Sequence, residues 1–234
     1  MTAAVSTRAA AASRTDPTGP ILLGAGVTAL AANLLHPRFS GADVAVYRQI
    51  ASSDRYALAD TVLLGALLLL TAGFAALARQ LRVRSAIADS ARITALVGGT
   101  LAIAQTGVEL QGLRQQARVF AAAADADQVG AFWSTNSLDR LNAALTALWI
   151  IVLLGLTPLL LVAAQLQTRS APRALALLGG TAATICTAVG IVDLLSHDHG
   201  AQDTAFLIGS LLLTAWVITT GYTLMRTAKP VDRR

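Results

Sequence analysis

Residues 53–81 read SDRYALADTVLLGALLLLTAGFAALARQL, and this stretch decides the class of fold. Between Arg55 and Arg79 the only charged side chain is that of Asp60. A helix needs about 20 predominantly apolar residues to cross the hydrocarbon core of a bilayer. Residues 57–80 meet that requirement, and the stretch therefore predicts a transmembrane helix.

The composition of the whole chain extends this conclusion. Of 234 residues, 55% are hydrophobic and only 13% are charged, with a mean hydropathy of +0.60. A soluble domain is nearer to 45–50% apolar and about 25% charged. The high pI of about 10.3 does not indicate nucleic-acid binding, because the basic residues fall at the ends of apolar runs. The composition indicates an integral membrane protein whose main partner is the lipid bilayer.

Six apolar runs predict an all-α, polytopic helix bundle with six spans. Residues 1–19 are expected to be a disordered cytoplasmic tail, 20–226 the transmembrane domain, and 227–234 a basic cytoplasmic tail. The first run has no convincing signal-peptide cleavage site, and five more runs follow it, so we interpret it as a retained helix. The predicted spans are 20–36, 57–80, 93–113, 140–166, 174–196 and 204–225.

The basic residues predict the orientation. Twelve of the 18 Lys and Arg residues lie in the tails and in one alternating set of connections. The positive-inside rule places these segments, with both termini, in the cytoplasm of a bacterium, and the chain in its inner membrane. The outer connections are then 37–56, 114–139 and 197–203. The stretch 114–133 is expected to form an amphipathic surface helix, with Trp133 and Tyr56 as interfacial anchors.

An internal repeat is visible in the apolar runs. RITALVGGTLAIAQTGV (92–108) aligns with RALALLGGTAATICTAV (173–189), and 53–81 aligns with 138–166. This pattern predicts three tandem two-helix units, although low complexity alone can produce such matches. Because small residues let helix backbones approach closely, the small-residue first helix of each unit is expected in the centre of the bundle.

Polar residues recur at the outer end of each of these first helices. Gln105 and Glu109 form an i, i+4 pair, as do Asp193 and His197, while Asn33 and His36 are three residues apart. Ionisable groups within membranes usually mark functional sites. The predicted ligand-binding residues are Asn33, His36, Asp60, Gln105, Glu109, Asp193 and His197. The alternatives are an interhelical hydrogen bond for Glu109 and support of a helix N-terminus for Asp60.

Three chemistries remain open for this outward-facing pocket. A metal ion would use His36, His197 and His199, but His-x-His is not a helix-face spacing and metal is not favoured. An enzyme acting on a lipid or isoprenoid would use Glu109 and Asp193 as acid and base. Transport would favour a broken helix, for which Pro158 is a mild candidate. Whether the protein is an enzyme stays undecided, and the cofactor is unknown.

The segments DRYALADTVLLGALLLLTAGFAALARQL (54–81) and ALVGGTLAIAQTGVELQGL (95–113) carry a resemblance. The six-span layout resembles small bacterial membrane proteins classed as a domain of unknown function. That resemblance implies an integral membrane protein and no particular activity. We expect a protein that binds or moves a small or lipid-like molecule. The alternatives are the membrane enzyme and a subunit of an oligomer or larger complex.

Overall fold

The computed structural model describes residues 16–37, 42–82, 85–195 and 200–227. Within these ranges the secondary structure is helical, with no strand, and six helices are long and apolar enough to cross a membrane. This confirms the predicted all-α bundle and its six spans. The predicted tails lie almost entirely outside the described residues.

Eleven helical segments make up the described chain. They are α1 (Thr18–Leu35), α2 (Asp43–Ser52), α3 (Asp54–Arg82), α4 (Ile87–Gly107), the first π segment (Val108–Leu113), α5 (Arg114–Ala122), α6 (Gln128–Trp149), the second π segment (Ile150–Leu156), α7 (Thr157–Thr168), α8 (Arg173–Leu195) and α9 (Gly200–Thr227). The α4–α5 and α6–α7 helices each run continuously through a π segment, so the spans are α1, α3, α4–α5, α6–α7, α8 and α9.

The spans pack in the order of the chain, and α9 returns to close the ring against α1. Glycines allow this closure. A Cβ atom on Gly221 would lie 2.7 Å from the Leu23 nitrogen, and one on Gly19 would lie 3.0 Å from the Gly221 carbonyl oxygen. Side chains larger than hydrogen would separate the two backbones.

The prediction that small-residue helices occupy the centre is wrong. In the fourth span, α6–α7, 61% of the most apolar window is buried, against 33% in the first and third spans. Large side chains fill the middle instead, including the fully buried Phe74 and Trp216, whose ring centroids are 6.0 Å apart. The small residues lie at contacts between neighbouring helices.

The two Gly-Gly pairs that the repeat aligns make corresponding contacts. A Cβ atom on Gly98 would lie 2.7 Å from the Leu153 nitrogen, and one on Gly179 would lie 2.6 Å from Nε1 of Trp216. Both first glycines thus face the span that follows in the chain, and both second glycines face the span that precedes. The correspondence fits the proposed units, and the repeat itself stays a prediction.

The fourth span is not broken at Pro158. Proline lacks the N–H that an α-helix needs and its ring crowds the carbonyl one turn earlier. The chain accommodates this by widening into the second π segment, where the Thr157 hydroxyl donates a hydrogen bond to the Val152 carbonyl at 2.8 Å. The helix therefore crosses without the interruption that a transporter-like broken helix would show.

The connections at one end of the bundle differ from expectation. The stretch 114–133 is not a single surface helix, because α5 continues the third span and the chain leaves the helix at Ala123 before α6 begins. A short helix, α2, occupies the connection predicted as 37–56. Trp133 is 59% exposed, as an anchor would be, whereas Tyr56 is 2% exposed and lies inside the protein.

These elements form what we call the cap: α2, α5 and the first turns of α6. Its core joins α2 to the ends of the spans through Tyr47, Ile50, Tyr56, Leu113, Ala117 and Phe120. The Tyr47 hydroxyl donates to Asp139 Oδ2 and accepts from Asn136 Nδ2, both at 3.2 Å. Burial, together with the negative charge of Asp139, raises the pKa of Tyr47 to about 12. The phenol therefore stays neutral, and its two hydrogen bonds fix α2 against α6 in the cap.

Candidate functional site

Polar side chains from four spans meet directly beneath the cap. We call this group the polar cluster; it consists of His36, Tyr56, Asp60, Gln105, Glu109 and Asn142. The cluster lies at the end of the bundle opposite the arginines Arg79, Arg82, Arg173 and Arg226. The charge distribution of the sequence predicts that this capped end faces outward.

Two hydrogen bonds fix the position of the Glu109 carboxylate within the cluster. Its Oε1 accepts a hydrogen bond from the Tyr56 hydroxyl at 2.5 Å, and its Oε2 accepts one from Gln105 Nε2 at 2.6 Å. The same Gln105 nitrogen donates to Asn142 Oδ1 at 2.9 Å. The predicted i, i+4 pair thus exists, and donors from α3 and α4 fix the orientation of the Glu109 carboxylate.

Asp60 is the most deeply buried acid of the polar cluster. Its side chain is fully buried, and among the described residues no hydrogen-bond donor reaches either carboxylate oxygen. The alternative role at a helix N-terminus does not fit, because α3 begins at Asp54 and Asp60 lies beyond its first turn. A buried carboxylate without a donor is costly unless a proton or a cation meets it.

His36 faces Asp60 from the end of α1. The Nδ1 atom of His36 lies 3.0 Å from the Pro37 carbonyl oxygen, which can only accept, so Nδ1 carries the hydrogen. The Nε2 atom lies 3.7 Å from Asp60 Oδ1. Arg55 brings these elements together by donating from α3 to the two last carbonyls of α1, at 2.8 and 3.1 Å.

The first π segment places Glu109 and Arg114 on successive turns. The Arg114 backbone N–H donates to the Glu109 carbonyl in the wide π pattern. The Arg114 guanidinium then reaches Asp54, with Nη2 2.8 Å from Oδ1, and ties α5 to the start of α3. π-helical turns inside α-helices occur frequently at functional sites.

The remaining predicted site residues are placed as follows. Asn33 is half-buried on α1, one turn before His36. Asp193 is half-buried on α8, a helix that packs on α6, α7, α9 and the second π segment, and it is not a member of the polar cluster. His197 and His199 lie outside the described residues, so their roles stay predictions.

Two members of the cluster, Tyr56 and Asn142, are not among the predicted site residues. Tyr56 precedes Asp60 by four residues, and this one-turn spacing could have pointed to a shared helix face. Asn142 lies within an apolar run and is 8% exposed. A buried amide in a spanning helix is itself a signal of an interhelical hydrogen bond.

A surface groove runs along the same helix beyond Glu109. It has a volume of about 330 Å³ and is lined by Leu110, Gln111, Arg114, Gln115 and Arg118. The groove offers amide and guanidinium donors, whereas the buried Asp60 and the half-buried Glu109 offer acceptors. The capped end therefore presents both donors and acceptors.

No protein-family model, curated protein or solved structure matches this chain. The resemblance to small bacterial six-span proteins therefore stays a prediction, and the function is inferred from the site.

Proposed function

We propose that this protein lies in the bacterial inner membrane with its capped end outward, and that it binds a small or lipid-like molecule at the polar cluster. The six spans are compatible with residence in a membrane. The excess of basic residues in the tails and in the connections at the other end supports the orientation, with both termini in the cytoplasm.

The observation that carries the proposal is the state of Asp60. Burying a carboxyl group whose oxygens accept no hydrogen bond costs free energy, and among the described residues His36 Nε2, 3.7 Å away, approaches as a possible positive partner. A ligand that brings a hydrogen-bond donor or a positive charge to Asp60 removes this cost. Gln105 Oε1 is a further buried acceptor without a donor among the described residues. Asp60 and Gln105 would therefore both favour a ligand that carries a hydrogen-bond donor or a positive charge.

The neighbouring groove supports an amphiphilic ligand. Arg114 and Arg118 line it, and guanidinium groups bind phosphate and carboxylate well. A zwitterionic headgroup would direct its amine to the carboxylates and its phosphate to the groove. The protein would then recognise a lipid at the outer leaflet by both charges.

A membrane enzyme is the second candidate function. For this function the geometry favours Asp60 and Glu109 as the catalytic pair over the predicted Glu109 and Asp193. An atom of Asp60 and an atom of Glu109 lie within 4.8 Å of each other, whereas Asp193 is on α8 and is not part of this close group. Two neighbouring carboxyl groups can take different roles in catalysis, one as acid and the other as base. Acid–base chemistry on a lipid would use Asp60 and Glu109.

The experiment that tests this proposal compares how well the protein retains lipids with two different headgroups. Native mass spectrometry of the full chain, released from nanodiscs of phosphatidylethanolamine or phosphatidylglycerol, counts the retained lipids. We expect retention of phosphatidylethanolamine, and its loss in Asp60→Asn. Asp89→Asn, an exposed acid at the opposite end of the bundle, is the control. Equal retention by wild type and Asp60→Asn would contradict the proposal.

A further inference from the structure

We infer that the polar cluster is a binding site for a divalent transition-metal ion, held by His36 Nε2 and one carboxylate oxygen each of Asp60 and Glu109. The inference deepens the ligand-binding function proposed above and rests on it, because it names the cation that the acceptors of the polar cluster would take. The predicted metal set was His36, His197 and His199; the two sets share only His36.

The three ligand atoms are already close. Within the described part of the chain, one atom each of His36, Asp60 and Glu109 lie within 4.8 Å of one another. Metal–ligand bonds of about 2.0–2.2 Å in a tetrahedral site require ligand atoms about 3.4 Å apart. The Nε2–Oδ1 distance between His36 and Asp60 is 3.7 Å, so this pair needs only a small adjustment.

The orientation of the His36 ring leaves one nitrogen for a ligand. The Nδ1 atom lies 3.0 Å from the Pro37 carbonyl oxygen, and the Nε2 atom lies on the side of the ring that faces the Asp60 carboxylate, 3.7 Å from Oδ1. Metal-binding histidines commonly show this arrangement, in which the second ring nitrogen donates to a carbonyl that fixes the tautomer.

The surroundings of Glu109 resemble the outer shell of a metal ligand. Tyr56 and Gln105 donate to its two oxygens and hold the carboxylate plane. Such partners orient a ligand before the ion arrives and raise affinity. The Asp60 oxygens, by contrast, have no donor among the described residues and keep their lone pairs for the ion.

The donor set selects the class of metal. One imidazole with two carboxylates suits zinc, manganese or iron(II), while calcium and magnesium prefer oxygen alone. Two carboxylate charges cancel the charge of a divalent ion, so the occupied site is neutral at the membrane edge. His36 is 44% exposed, and its exposed side leaves a fourth position open for water or a headgroup oxygen.

The test uses the purified full chain after treatment with a chelator. Zinc chloride is titrated by calorimetry, and bound zinc is counted by mass spectrometry. We expect one zinc per chain, and affinity lower by at least about 10-fold in Asp60→Asn and in Glu109→Gln. The double variant His197→Ala/His199→Ala is the control and should bind like wild type. X-ray absorption of the wild-type complex should show one imidazole and oxygen ligands.

Several outcomes would overturn the inference. The first is that wild type, at about 1 μM, binds no zinc when the zinc concentration is about 100 times that of the protein. The second is that both carboxylate variants bind zinc with unchanged affinity. The third is an absorption spectrum that shows two or three imidazole ligands. The wild-type spectrum decides the matter even if a variant fails to fold. Lipid retention is measured separately, so loss of the metal result alone leaves the proposed lipid binding standing with an organic cation at Asp60.

Discussion

The hydrogen bond from Tyr56 to Glu109 gives the most direct test of the polar cluster. We predict that Tyr56→Phe lowers the free energy of unfolding by about 1.5–2 kcal/mol. The O–O distance of 2.5 Å and the 2% exposure of Tyr56 indicate a short, shielded bond to the carboxyl group. Bonds of this type contribute about 1.5–3 kcal/mol, and couplings measured within membranes reach about 1.7 kcal/mol.

A double-mutant cycle isolates this bond from the rest of the tyrosine. Wild type, Tyr56→Phe, Glu109→Gln and the double variant are unfolded reversibly in mixed micelles, and the coupling energy is taken from the four free energies. We expect a coupling of about 1–1.7 kcal/mol. Tyr222→Phe is the matched control, because that ring is 45% exposed and is stacked under Arg226, so its change should stay within about 0.5 kcal/mol.

A coupling below about 0.4 kcal/mol would refute the reasoning, since that is the additivity expected of residues that do not interact. Glu109 would then not be oriented by Tyr56. If instead Tyr56→Phe weakens folding while zinc affinity falls by roughly 10–100-fold, the hydroxyl acts as a positioning group for the Glu109 carboxylate rather than as a ligand.

Three further predictions concern packing, pH and orientation. Gly98→Ala should destabilise the bundle by about 1–3 kcal/mol through overpacking. Gly107→Ala, on the same helix, should be neutral or stabilising, because a Cβ atom there has no neighbouring atom within 4 Å. Equal effects of the two substitutions in thermal unfolding would contradict the close contact at Gly98. Slight desolvation of the exposed Asp16 side chain opposes its charge, but hydrogen bonds from Thr18 and Gln80 and the nearby Arg79 outweigh this and lower its pKa. Its contribution is therefore present above about pH 4 and lost as the pH falls further, so the stability difference from Asp16→Asn should shrink in acid; a constant difference would contradict it. Trp133→Cys should react with an impermeant maleimide on intact cells and Ser90→Cys should not; the reverse labelling would overturn the orientation.

The six spans could be predicted from the sequence because apolar length alone determines them. The observed spans begin and end within a few residues of the predicted bounds, except where helices continue beyond the apolar run, as α4 does through the first π segment into α5. The short helix α2 was missed because its ten residues carry no long apolar run, and it is held by the cap. The packing order was missed for a different reason: small residues show where two helices approach closely, but not which side of the ring they face.

The polar cluster was predicted in part, and the limit is geometric. Position along a spanning helix follows from residue number at 1.5 Å per residue, so His36, Gln105 and Glu109 could be assigned to one level, and Asp60 could be predicted as a binding residue near the same end of its helix. The direction in which each side chain points depends on how the helices pack. The same level was therefore assigned to Asp193, which is on α8, a helix that contributes no member to the polar cluster.

Asp60 connects the fold to the function more closely than any other residue. Tyr56, Gln105 and Asn142 could build a stable polar contact around Glu109 without a second acid. Asp60 adds a buried acid whose oxygens have no hydrogen-bond donor among the described residues, and an apolar residue at this position would stabilise the bundle more. Residues that oppose stability in this way are expected at functional sites. Arg55 and Pro37 then hold His36 against this acid. The local structure is therefore arranged around a positive species at Asp60, and binding is its simplest use.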